Sequence, residues 1–127
     1  MYSVFFHLPP PLFSSLLFFS PARPRRLQAL APADGWCDDP GDPAYNRPVQ
    51  HPHPASAERL WLGEAVYDVV VVLGHNDDPV VPGAGSAIFF HVALPGYLPT
   101  SGCVALALPD LLEVLAGCGP GAEMVIV

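Results

Sequence analysis

His91 closes the apolar run Ile88-Phe89-Phe90, and Cys103 directly follows a glycine in Thr100-Ser101-Gly102-Cys103-Val104. A loop containing proline and glycine separates the two segments, so they can pair as neighbouring strands and bring an imidazole beside a thiol. That is the minimum apparatus for nucleophilic thiol chemistry, because the thiolate attacks and a nearby histidine can generate it. By residue type alone, a core histidine and a space-filling buried cysteine are the commoner fates in apolar strands. The surrounding elements have to decide.

Those elements are mostly strands. Tyr67–Leu73 is a β-branched run that predicts a strand buried on both faces. Ser86–Val92 and Gly102–Leu108 predict two more, and Ala122–Val127 a last one. Pro109–Gly117 predicts a short helix: Pro109 suits the first helical position, Asp110 and Glu113 favour the positive end of the dipole, and Gly117 or Gly119 ends it. Between the first two strands lies a turn-rich loop holding His75, Asn76, Asp77 and Asp78, which reads equally as a solvated turn or as the mouth of a cleft. Residues 27–60 read as a long loop punctuated by Asp34-Gly35, Asp39-Pro40-Gly41, Asp42-Pro43 and Arg47-Pro48, pinned by Trp36, Tyr45 and Trp61. Ala55–Leu62 is expected to form a helical turn with Ser56 as its N-cap. The fold class expected is mainly β with one helix (α+β), a sandwich or partly open barrel.

A chain of 127 residues offers one domain. Its 17 prolines and 11 glycines argue against an all-helical fold. The net charge of -7, with no lysine and only Arg47 and Arg59 as bases after residue 26, excludes nucleic acid as a natural partner. Residues 1–26 form a separate apolar, proline-rich segment expected to be poorly ordered. Leu12–Ser20 is too short to span a bilayer. Arg23, Arg25 and Arg26 follow the apolar run, the reverse of the order in a secretory signal.

Cys37, Cys103 and Cys118 show no CxxC spacing, so neither a zinc knuckle nor a disulfide framework is indicated. Cys118 is expected as a small hydrophobe near a helix end. His51 and His53 alternate with prolines in an extended segment, which would point both rings the same way and suit a metal, with Cys37 or Asp39 assisting. No third ligand has convincing spacing. The site is therefore read without metal, and a hydrolase built on His51, His53 and His75 is a minor alternative.

The order of apolar-apolar-His, variable loop, Thr100-Ser101-Gly102-Cys103-Val104, helix, Gly-Pro-Gly and a last strand resembles the L,D-transpeptidase (YkuD-like) catalytic domain. The family signature is a His-Gly segment followed by Ser-x-Gly-Cys-Ile/Val-Arg. Asp34-Gly35-Trp36-Cys37-Asp38-Asp39-Pro40, Tyr45-Asn46-Arg47-Pro48-Val49 and Gly74-His75-Asn76-Asp77 are similar to loop segments of a proteobacterial branch of it, so the likeness spans about residues 30–127.

The resemblance implies an L,D-transpeptidase-like domain over 27–127, acting in the periplasm or cell envelope as a cysteine acyltransferase on peptidoglycan stem peptides. Cys103 is then the nucleophile and His91 the base. Backbone N–H groups around Ser101 and Gly102 form an oxyanion hole, and His75, Asn76, Arg47 and Thr100 contact substrate. No cofactor is implied, and a carbapenem β-lactam is an expected acylating inhibitor. Arg47 could alternatively pair with Asp38 or Asp39.

Two positions depart from the family pattern: Ala105 stands where the family has Arg, and Val92 where it has Gly. The family domain also opens with strands that residues 1–26 do not resemble, which implies an N-terminally incomplete domain with an unpaired sheet edge. The alternative reading is a non-catalytic remnant or wall-binding module of the same fold.

Overall fold

The structure, a computed structural model, describes residues 3–6, 27–118 and 122–125. In chain order these form β1 Ser3–Phe6, β2 Leu27–Ala29, β3 Asp34–Cys37, β4 Pro48–Gln50, β5 Ala57–Arg59, a 3-10 turn Ala65–Tyr67, β6 Val69–Val72, β7 Phe89–Val92, β8 Val104–Leu106 and α1 Leu108–Gly117. The class is mainly β with one helix. The strands make two sheets, and neither closes into a barrel. One is five-stranded in the order β2-β1-β6-β7-β8, the other three-stranded in the order β4-β3-β5.

The valines of β6 explain the layering. Their branched side chains favour an extended backbone, and successive residues point to opposite faces. Val69 and Val71 pack with Phe90, Val92, Leu111 and Leu115 in one core, between the sheet and α1. Val70 turns the other way and packs with Phe89, Trp36, Leu30, Leu60 and Tyr67 in a second core, between the two sheets. Burial on both faces, expected from the unbroken apolar run, is what β6 shows. In α1, Leu111 and Leu115 are one turn apart and carry the buried stripe, while Pro109 enters in the first turn, where a missing N–H costs nothing.

Several expectations are corrected. The strand expected from Tyr67 begins at Val69, because the Asp68 N–H closes a turn onto the Ala65 carbonyl and tucks Tyr67 under the sheet. Gly102–Leu108 contracts to Val104–Leu106, since Gly102 has a positive φ of 110° that no strand residue takes. The helical turn expected over Ala55–Leu62 is instead β5, paired antiparallel with β3 through Gly35–Arg59, Trp36–Glu58 and Cys37–Ala57. The supposed loop of residues 27–60 thus holds β2 to β5. Trp36 and Tyr45 are buried as pins there, whereas Trp61 lies at the surface. Ala122–Val125 adopt no strand, and the rest of that expectation lies outside the described residues.

The outer edge of β6 is paired. Strand β1 pairs antiparallel with β6 from Ser3–Val72 to Phe6–Val69, and β2 then pairs parallel with β1. Of residues 1–26, the segment expected to be poorly ordered, Ser3–Phe6 form β1 and the others lie outside the described residues. No helix among the described residues is long and apolar enough to cross a membrane.

Candidate functional site

Strands β7 and β8 run parallel, with Phe90 opposite Val104 and His91 opposite Ala105. Cys103 precedes Val104 as Phe89 precedes Phe90, so Cys103, Phe89 and His91 share one face of the sheet. It is the face turned toward the smaller sheet, because His91 is also paired with Val70 of the inter-sheet core. The fold therefore puts the imidazole, on β7, and the thiol, one residue before β8, on one surface.

The imidazole is held firmly. His91 is 6% exposed, and its Nδ1 lies 2.9 Å from the carbonyl oxygen of Val92. A carbonyl can only accept, so Nδ1 donates here, and in the neutral ring this leaves the lone pair on Nε2, the tautomer a general base needs. Tyr67 stands against the ring at 84° with centroids 5.4 Å apart, and makes a similar edge contact with Phe89 at 5.8 Å.

The thiol is half-buried at the rim of the same core. Its S–H points to the Ala87 carbonyl at 3.3 Å, and the Phe89 N–H approaches the sulfur at 3.5 Å. Burial pushes the thiol above its ordinary range, the Phe89 N–H partly offsets this, and the negative charge of Glu58 pushes it up further. At rest Cys103 is thus a neutral thiol, and a nucleophilic role requires its proton to be removed during attack.

Two residues of this cluster went unnoticed in the sequence. Tyr67 donates its phenolic hydrogen to Glu58, and its own ionisation is driven strongly upward by burial first and then by Glu58. Nothing local marked Glu58, which β5 delivers from a segment that reads as a helical turn. Tyr67 could have been found as the aromatic, polar-tipped residue that opens the run with Asp68.

Other expected site residues are occupied within the protein. Thr100 Oγ1 donates to the Cys103 carbonyl at 2.6 Å, closing the turn that carries the exposed Ser101 and Gly102. Arg47 pairs with Asp77, not with Asp38 or Asp39: its guanidinium reaches the Asp77 carboxylate at 3.0 Å and the Asp77 carbonyl at 2.7 Å. Asn76 takes a positive φ of 50°, which asparagine tolerates, and staples its own loop through Val81 and Gly85. The His75 ring lies 2.9 Å from the Ala84 carbonyl and against Gly85, where a Cβ would come within 2.7 Å of Nε2. The buried Asn46 ties this loop to the smaller sheet, accepting from the Trp36 indole at 3.1 Å and donating to the His75 and Asn76 carbonyls. These residues shape the 74–85 loop; their bonds are spent on holding it.

His51 and His53 do not point the same way. His51 lies over Gly35 with Nε2 3.5 Å from the Glu58 carbonyl, whereas His53 turns to Asp42, with Nε2 3.5 Å from Oδ2. Among the described residues, the side chains that could hold a metal are Cys37, Asp42 and His53, with ligand atoms all within 4.8 Å of one another. His51 and His75 are not part of that group, which removes the hydrolase alternative built on them. No family model matches the chain, and neither a curated protein nor a solved structure is found to be similar to it.

Proposed function

We propose that this chain is a cysteine acyltransferase of the L,D-transpeptidase type, acting on peptidoglycan stem peptides in the cell envelope. The observation that carries the reading is the shared sheet face of Cys103 and His91, with His91 Nδ1 already committed to a carbonyl. The Gly102-Cys103-Val104 motif adds to it.

In this reading His91 Nε2 takes the thiol proton as the sulfur attacks the carbonyl carbon of an L,D-peptide bond. The S–C bond forms and the C–N bond breaks, and the departing D-amino acid takes the proton from His91. The acyl-thioester is then resolved by an amine of a second stem peptide or by water, which gives its proton to His91. The thiol is regenerated. Dividing the exchange into two acyl transfers replaces one difficult step by two easier ones. The N–H groups of the exposed 101–103 turn are the candidate oxyanion donors. Ala105 sits directly opposite His91, so the position at which the family carries a cation offers only a methyl group. The reading therefore assigns substrate carboxylate recognition no arginine at that place.

The test is mass spectrometry of the folded, reduced protein with a carbapenem and with a stem tetrapeptide. One acyl group on Cys103, absent in Cys103→Ala and strongly slowed in His91→Gln, is expected. A folded protein that takes up no acyl group overturns the reading. That outcome belongs to the second reading, a non-catalytic wall-binding module.

A further inference from the structure

Cys37, Asp42 and His53 converge on the far side of the smaller sheet's central strand, and nothing in the acyl-transfer reading uses them. Cys37 ends β3 and is fully buried. Its backbone is fixed by the Arg47 carbonyl, by the Asn46 N–H and by the Ser86 hydroxyl, which donates to its carbonyl at 2.8 Å. Asp42 lies in the following turn, where the Ala44 N–H holds Oδ1 at 2.7 Å and leaves Oδ2 facing His53. The Nε2 atom of His53 is buried with no hydrogen-bond partner and lies 3.5 Å from Asp42 Oδ2. A buried polar atom without a partner is destabilising, so one in this position calls for an occupant.

We propose that Cys37 Sγ, His53 Nε2 and Asp42 Oδ2 bind a single divalent cation of the zinc class, with a water completing a tetrahedral shell. Sulfur, imidazole and carboxylate are the donors such an ion selects. Zinc bonds of about 2.0–2.3 Å place tetrahedral ligand atoms roughly 3.4–3.7 Å apart. The His53–Asp42 separation of 3.5 Å already meets this, and the sulfur, within 4.8 Å of both, closes the triangle by about 1 Å of movement.

Charge favours the same ion. Cys37 as thiolate and Asp42 as carboxylate neutralise a divalent cation, and Asp38 and Asp39 add negative potential nearby. Cation binding displaces the Cys37 thiol proton to solvent. The ion would tie the end of β3 to the turn at Asp42 and to the His51–Pro54 segment beyond β4. It is a structural clip, independent of Cys103 chemistry.

The protein, reduced and stripped of metal, is titrated with Co2+ and then with Zn2+. One Co2+ per chain is expected, with thiolate charge-transfer absorption and the intense visible bands of four-coordination, all abolished by one equivalent of Zn2+. Cys37→Ser should lose the charge-transfer band and His53→Gln should weaken binding at least tenfold, while Cys103→Ala and Cys118→Ser keep both. Absence of the band in the wild type, or its survival in Cys37→Ser, overturns the site. If Cys37→Ser does not fold, His53→Gln decides: a native circular dichroism spectrum with unchanged Co2+ affinity overturns it. Because Cys103→Ala retains the metal under this proposal, failure of the acyl-transfer reading leaves the result untouched.

Discussion

Tyr67 donates its phenolic hydrogen to the Glu58 carboxylate, so β5 of the small sheet and the turn before β6 of the large one meet in a single hydrogen bond. Glu58 adds a negative charge felt by Cys103, and Tyr67 supplies the ring that stands against His91. The pair therefore acts on both halves of the candidate site without touching substrate. Glu58→Gln removes the charge but keeps an oxygen to accept the Tyr67 hydrogen. The Cys103 thiol should then ionise at lower pH, and its alkylation by iodoacetamide at pH 8 should accelerate several-fold, short of the roughly tenfold of a full pK unit. Peptide mass mapping across a pH series reads this out; an unchanged or slower profile contradicts the coupling.

The turn that presents Cys103 depends on Gly102. Its φ of 110° is strained for any residue with a Cβ, although a Cβ there would meet only Ile88 Cδ1 at 3.6 Å. The loss in Gly102→Ala is therefore backbone strain rather than a clash, about 1–3 kcal/mol. Urea denaturation should show a lower midpoint with an unchanged slope. A variant as stable as the parent would contradict that conformation.

Asn46 holds the 74–85 loop by donating to two of its carbonyls while accepting from Trp36. Asn46→Asp can still accept from the indole but cannot donate to the carbonyls. Amide exchange in residues 74–85 should then speed up at least tenfold, with the β6–β7 core amides little changed. Uniform loss of protection across the chain would show that the clamp supports the whole fold instead.

Cys103 makes stability fall in alkali. Its folded-state ionisation lies above that of the unfolded thiol, so its contribution is complete below the unfolded value of about 8.5 and is lost as pH rises toward the folded one. The slope from one such group is at most about 1.4 kcal/mol per pH unit. Cys103→Ala should flatten the decline in urea-derived stability between pH 8.5 and 10 relative to the parent. An equally steep decline in the variant would assign it to other groups.

Where a signal was local, the chain stated its own structure. The valine run announced β6, and Pro109, Asp110 and Glu113 with a glycine at the end announced α1. Residues 27–60 were illegible for the opposite reason. Strands of three or four residues broken by proline carry too little period to detect, and β3, β4 and β5 exist because they pair with one another. Arg47 shows the same limit, since its choice of Asp77 over Asp38 or Asp39 follows from where a loop thirty positions on comes to rest.

By itself the sequence determined the class of the fold, the chemical types available for a thiol site, the strand bearing His91 and the strand that begins directly after Cys103. Their alternation and spacing are properties of a few adjacent residues. Only the tertiary structure decided that His91 and Cys103 share a face, that Tyr67 and Glu58 join them, and that His53 leaves His51 to meet Cys37 and Asp42. Each of those outcomes depends on strand register or on the path of a loop. Both are set by packing between segments far apart in the chain, which no local pattern encodes.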